Sequence, residues 1–232
     1  QVHNPEENAS MPPKISGRFN RSEAVQVYLN PSQMDAMNSA MSRRLTIIQG
    51  PPGTGKTHTA VATLAQLARE GRGPILATAE SNVAVDNLLE GLLGLGVRAV
   101  RIGRPVKVRE TLRMATLDAQ LEEHPKQDEI AIVRDEMDEV HRALPKLKGR
   151  EKGLAHRDIQ HNKKELRRLE QEMIASVLDG AEVICSTNIG SGHRILDGRR
   201  FPIVLMDEAT QAWPHPSKPV SYTHLRAHET RF

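Results

Sequence analysis

Apolar and polar positions along this chain alternate in a way that predicts short buried strands separated by helices. Residues 45–49, 75–79, 97–102, 181–186 and 203–206 form short apolar runs. Several lack the polar alternation of a half-buried strand, which is the pattern of strands covered on both faces of a parallel sheet. Helical periodicity fills residues 57–70, 83–93 and 108–122 between them. Upstream, Asn30-Pro31-Ser32 reads as a helix start. Asn30 is the N-cap and Pro31 takes the first helical position, where its missing N–H costs nothing. That helix should end near Ser42. Residues 1–29 are polar and hold Pro5, Pro12 and Pro13, predicting an irregular lead-in with one short strand over 24–29. Strand–helix alternation of this kind predicts a doubly wound α/β domain.

One segment breaks the rhythm. Ile130, Val133, Met137, Val140, Leu144 and Leu147 recur at helical steps, and Ile159, Leu166, Leu169 and Met173 resume the spacing after polar residues 148–153. The expectation is an inserted antiparallel helical hairpin over about 126–176, turning at Gly149 and Gly153. Residues 128–139 carry six acids and one Arg, whereas 161–168 carry Lys163, Lys164, Arg167 and Arg168, so the turn should appose opposite charges. A solvated arm without chemistry and a partner-contacting arm both fit this pattern.

With 232 residues, 38% of them hydrophobic, the chain is long enough for one sizeable core. The formal net charge of +3 tolerates a polyanionic partner without requiring one. The single cysteine, Cys185, lies in an apolar run, which excludes a disulfide framework and fits a reducing compartment. No run approaches the roughly 18 apolar residues of a membrane span, and the first residues lack a signal-peptide pattern. The chain therefore reads as soluble and intracellular, of cytoplasm or nucleus, with no membrane partner. It begins with Gln rather than Met, so further residues are expected upstream.

Two motifs carry chemistry. Gly50-Pro51-Pro52-Gly53-Thr54-Gly55-Lys56-Thr57 satisfies the phosphate-loop pattern between a predicted strand and a predicted helix. Glycines let successive backbone N–H groups turn inward around phosphates, a concavity that side chains would obstruct. Lys56 then reaches the β- and γ-phosphates, Thr57 offers a hydroxyl to magnesium, and the helix start adds its positive end. The second motif, Ile203-Val204-Leu205-Met206-Asp207-Glu208, is an apolar strand ending in two acids. Asp207 would hold the magnesium and Glu208 would polarise the water that attacks the γ-phosphate. Adjacent acids can also be surface charge or a helix cap, but beside a phosphate loop the catalytic reading is favoured.

Taken with Asp207-Glu208-Ala209-Thr210-Gln211 and Ser81-Asn82-Val83-Ala84-Val85-Asp86-Asn87-Leu88, the phosphate loop makes residues 29–212 resemble the up-frameshift type of superfamily 1 helicases. Val100-Arg101-Ile102-Gly103-Arg104-Pro105 brings the likeness nearest to the immunoglobulin mu-binding helicases. The resemblance implies an α/β RecA-like domain, residues 30–212, as the first of two in an ATP-driven motor on single-stranded RNA or DNA, moving 5′ to 3′. It implies that Gln33 reads adenine, that Ser81, Asn82 and Thr187 hold the strand's backbone, and that Gln211 senses the γ-phosphate. A carboxamide can both donate to and accept from an adenine edge, which suits Gln33, although an exposed Gln in a first helical turn is also ordinary. Ser81 and Asn82 likewise suit simple helix capping.

Beyond Gln211 the family should continue into a helix, further strands and a second RecA-like domain that supplies an arginine to the γ-phosphate. Here Pro214, Pro216 and Pro219 oppose such a helix, and residues 213–232 hold three of the ten histidines. The expectation is a non-native tail resembling adaptor sequence, on a truncated first motor domain that turns over weakly or not at all alone. Two other readings share the phosphate loop. One is a kinase or switch GTPase, although no Asn-Lys-x-Asp guanine-reading element occurs; the other is a binding module without turnover.

Overall fold

The computed structural model describes residues 14–15, 27–106 and 109–209 of the chain. Helix α1 spans Pro31–Ser42, and its start is a reciprocal cap. The Asn30 side chain accepts from the Gln33 N–H while the Gln33 side chain accepts from the Asn30 N–H, with Pro31 in the first turn. Helix α2, Lys56–Arg69, follows Gly55 and is rich in alanine, so it fits deep in the core with Leu64 fully buried. Helix α3, Asn82–Gly94, is capped by Ser81.

The strands β1 (Lys14–Ile15) and β2 (Val27–Tyr28) form a small antiparallel pair, and β2 falls inside the strand predicted over 24–29. The main sheet comprises β3 (Ile75–Ala79), β4 (Ala99–Arg101), β5 (Val183–Thr187) and β6 (Ile203–Asp207). They are all parallel, in the order β4-β5-β3-β6. Successive side chains point to opposite faces. Ile75, Ala77, Val183 and Cys185 pack with Leu64, Leu88 and Leu92 of α2 and α3 on one face. Leu76, Val100 and Ile184 pack with Leu117, Leu178, Leu196 and Phe201 on the other. With both faces covered, the strands can be apolar throughout, which is what made them readable.

Residues 45–49 depart from expectation, because they form no strand. Leu45 and Ile47 are 76% and 85% exposed. A strand exists only with a ladder neighbour. Among the described residues, β6 pairs with β3 alone and nothing pairs with 45–49. The expected helix over 108–122 is also two helices, α4 (Glu110–Met114) and α5 (Leu117–Glu122). Thr116 breaks it by capping α5, and the Ala115 carbonyl accepts from the Arg101 N–H instead of continuing a helix.

The helical hairpin is present as α6, Gln127–Ala143, and α7, Gly149–Gly180. Its turn comes earlier than the expected 148–153, at a 3₁₀ turn over Leu144–Lys146, because Pro145 cannot extend the α6 ladder. Gly153 lies inside α7. The inter-arm charges run opposite to the expectation: Lys126 and Arg134 of the first arm meet Glu172 and Glu170 of the second. Arg168 is engaged within its own helix by Glu165 and Glu172. Hydrogen bonding from Arg168 to Glu165, and from Lys126 to Glu172, holds both carboxyls below the usual range.

The base of this arm belongs to the core. Leu178 is fully buried against the sheet, and Leu121 packs both there and against the Ile130–Leu169–Met173 cluster between the arms. Leu178→Ala should therefore cost about 2–5 kcal/mol in urea denaturation, the range for truncating a buried leucine. Leu154→Ala, on the same helix but 44% exposed, should stay within about 0.5 kcal/mol. Equal losses at the two positions would show that the base of α7 is not core.

Candidate functional site

The phosphate-loop residues form the turn that leads into α2. Gly53 and Gly55 both have φ of +80°, where a side chain is strained. At Gly55 space is short as well, since a Cβ would lie 2.6 Å from Gln33 Nε2. Pro51 and Pro52 have no N–H, so the backbone donors of the loop are those of Gly50 and residues 53–57. Lys56 Nζ donates to the Gly50 and Pro51 carbonyls at 2.9 and 3.0 Å, which holds its ammonium across the mouth of the loop. A phosphate arriving there exchanges weak carbonyl partners for charged ones.

The sheet brings the second motif to the first. Asp207 ends β6, and its Oδ2 accepts from Thr57 Oγ1 at 2.9 Å. Because the threonine proton goes to Asp207, the hydroxyl's lone pairs remain for a cation. Hydroxyl and carboxylate oxygens together make a hard donor set that fits magnesium. Asp207 Oδ1 accepts from the Glu208 N–H at 3.0 Å. Glu208 is exposed at φ +54°, a left-handed conformation unusual for a side-chain-bearing residue. Strain of this kind concentrates at functional positions. Here it turns the chain sharply just beyond Asp207.

Gln33 sits beside the loop, its Nε2 donating to the Thr54 carbonyl at 3.0 Å while its Oε1 serves the α1 cap. One side chain thus links the first helix to the phosphate loop. His58, which the sequence did not single out, ties the same region to β2 through the Tyr28 carbonyl at 3.0 Å.

Ser81, Asn82 and Thr187 gather at the carboxyl ends of β3 and β5. Thr187, Ala79 and Asp207 occupy one register row across three adjacent strands. Strands lie about 4.8 Å apart, so the row sets Thr187 roughly 10 Å from Asp207 along the sheet edge. Ser81 Oγ accepts from the Ala84 N–H at 3.1 Å, so the serine caps α3 and keeps its own proton to donate. Thr187 Oγ1 accepts from the Gly190 N–H at 2.9 Å and likewise keeps its proton. Gly190 must approach this closely, since a Cβ there would meet Ser186 Oγ at 2.6 Å.

The sequence reading missed a buried network beneath this edge, in which Arg101 Nε donates to Asp86 Oδ1 at 2.8 Å and Nη2 donates to Asn82 Oδ1 at 2.9 Å. Its signal was a lone arginine in the apolar run Ala99-Val100-Arg101-Ile102, since a charge on a buried strand must have a partner. Cys185 is buried within β5, and burial pushes its thiol up to about 12, which leaves it unreactive at neutral pH. Gln211 and the tail at 213–232 lie outside the described residues, as does most of the lead-in at 1–29. Among the described residues no helix is long and apolar enough to cross a membrane.

Comparison with known proteins gives the family. Residues 28–215 match the family described as AAA domain. The chain is 34% identical over 186 residues to DNA polymerase alpha-associated DNA helicase A of Schizosaccharomyces pombe, covering 79% of this chain and 28% of that protein. It is 36% identical over 190 residues to DNA-binding protein SMUBP-2 of Mesocricetus auratus, covering 79% of this chain and 19% of the relative. The ATP-dependent helicase upf1 of Schizosaccharomyces pombe is 37% identical over 190 residues, with the same two shares of 79% and 19%. The chain thus spans well under a third of each relative's length.

Gln33 has a capping contact and a loop contact, and substitution separates them. Glutamate keeps an acceptor for the cap but has no N–H to donate. Gln33→Glu should therefore keep the cap and lose only the exposed Thr54 contact, about 0.5–1 kcal/mol of the ligand-free chain's stability. The same change should weaken ATP roughly tenfold more than CTP, as expected when a hydrogen bond beside the base is lost. Gln33→Ala, which removes both contacts, should cost about 1–2 kcal/mol. Thermal melts and nucleotide titrations read the two effects. Equal weakening of ATP and CTP by both variants would make Gln33 a structural residue only.

Proposed function

We propose, from the premise that this chain belongs to the AAA domain family as a motor domain of the up-frameshift type of superfamily 1 helicases, that it binds ATP with magnesium. Within the whole protein it would convert hydrolysis into movement along single-stranded RNA or DNA. The observation that carries this reading is the 2.9 Å contact between Thr57 and Asp207 beside Lys56, which unites the phosphate loop with the acidic strand end. The relatives' names, a DNA helicase, a DNA-binding protein and an ATP-dependent helicase, support ATP as the nucleotide and nucleic acid as the partner. On the same basis we place the protein inside the cell, in nucleus or cytoplasm.

Each residue then has a role. The N–H groups of residues 53–57 and the start of α2 cradle the phosphates, and Lys56 neutralises charge on the β- and γ-oxygens. Thr57 and Asp207 would hold magnesium, which when bound offsets the negative charge of the triphosphate. Glu208 takes a proton from the attacking water as its oxygen bonds to the γ-phosphorus and the bond to the β–γ bridging oxygen breaks. Gln33 meets adenine, and Gln211 senses the γ-phosphate. Ser81, Asn82 and Thr187 donate to phosphodiester oxygens of the strand, contacts that hold without reading sequence. Aromatic residues are only 3% of the chain, which also favours backbone grip over base stacking. A second RecA-like domain supplies the other half of the engine, with 5′ to 3′ movement following from the family.

Lys56→Ala should abolish ATP binding in an equilibrium titration at physiological magnesium, because it removes the cation set against the β- and γ-phosphates. Unchanged affinity would refute the assignment. In the full-length protein, Glu208→Gln should bind ATP normally yet hydrolyse it about a hundredfold more slowly, the usual scale for a positioned base. Turnover at the unmodified rate would place the base elsewhere.

A further inference from the structure

The buried pair Arg101–Asp86 lies directly under the edge assigned to the strand. Its side chains are 1% and 0% exposed, joined at 2.8 Å. Burying such a pair is expensive, and apolar residues of similar size often serve stability as well or better. What the pair supplies here is geometry. Asn82 and Asp86 stand one helical turn apart on α3, so one guanidinium reaches both. Arg101 Nη1 also donates to the Ile102 carbonyl at 3.3 Å. The other Asp86 oxygen accepts from the Val106 N–H at 2.8 Å, which fastens the turn at residues 103–106 to the same carboxylate.

A guanidinium has donors and no acceptor, so it must face the oxygen of the Asn82 carboxamide. The two amide N–H groups are thereby turned away from Arg101, and Asn82 is exposed. Beside them Ser81 has its hydroxyl oxygen committed to the cap, with its proton still to donate. The start of α3 therefore presents donors to solvent. Without Arg101, the amide could rotate and show its oxygen to an approaching phosphate, which would repel it. We infer that Arg101 and Asp86 are positioning residues that fix the amide of Asn82 donor-outward, giving the α3 start its selectivity for the anionic oxygens of a single strand. This rests on the reading of Asn82 as a strand contact.

Fluorescence anisotropy of labelled oligo(dT) and oligo(U) with the 232-residue chain tests it, alongside thermal melts and titration with a non-hydrolysable ATP analogue. Arg101→Lys keeps a cation beside Asp86 but lacks the fork that reaches Asn82. Asn82→Ala and Arg101→Lys should each weaken strand binding roughly tenfold, and the double variant should be no weaker than either alone. Analogue binding should not change. If Arg101→Lys does not fold, Asp86→Leu with Arg101→Met removes both charges, and the same pattern is expected against Asn82→Ala. Full strand affinity in the Arg101 variant, or losses that multiply to roughly a hundredfold in the double variant, would overturn the positioning role while leaving Asn82 as a contact. Full affinity in Asn82→Ala, or no strand binding by the unmodified chain, would overturn the contact reading and this inference with it.

Discussion

Thr57 and Asp207 lie 150 positions apart, and the 2.9 Å hydrogen bond between them is the constraint on which the site depends. Neither side chain can reach the other unless β6 lies beside β3 in register, with Asp207 opposite Ala79 and α2 beneath. The register is set by burial. A slip of one residue would turn Ile75, Ala77 and Ala79 away from the α2–α3 face and send Leu76 into it. Packing of ordinary aliphatic side chains thus determines where a carboxylate meets a hydroxyl.

The same register lays out the rest of the edge. Asp207, Ala79 and Thr187 form one row, so Asp207 and Thr187 sit two strands apart with β3 between them. Between them lies β3, buried along its whole length and paired with both neighbours. Glu208 at φ +54° adds local strain at the nucleotide end. The Arg101–Asp86 pair adds a buried ionic brace at the strand end, tied to the exposed Asn82.

Much of this was legible in the sequence because the cues were local. Asn30 and Pro31 announced α1 with its correct bounds, and the run Ile75–Ala79 is a strand as read. The glycine-lysine loop and the acidic strand end stood out as motifs, and the sheet brings them together at the Thr57–Asp207 contact. What escaped was what depends on neighbours. Residues 45–49 look like a buried strand but have no ladder partner among the described residues. The hairpin was legible from its spacing, but the ion pairs that join its arms were not, because which side chains meet, Lys126 with Glu172 and Arg134 with Glu170, is set by how the two helices face each other. Arg101 was visible as an oddity in an apolar run, yet its partners, at positions 86 and 82, are set by how α3 crosses β4.

Whether the phosphate loop and the end of β6 form one magnesium–nucleotide site can be read by titrating a non-hydrolysable ATP analogue into this chain with and without magnesium, and repeating the titration with Asp207→Ala. In a single site, magnesium should tighten binding at least about tenfold, or about 1.4 kcal/mol, in the unmodified chain, and the variant should lose that gain while still binding the analogue weakly through Lys56. An equal magnesium effect in the variant, or none in the unmodified chain, would contradict a single site.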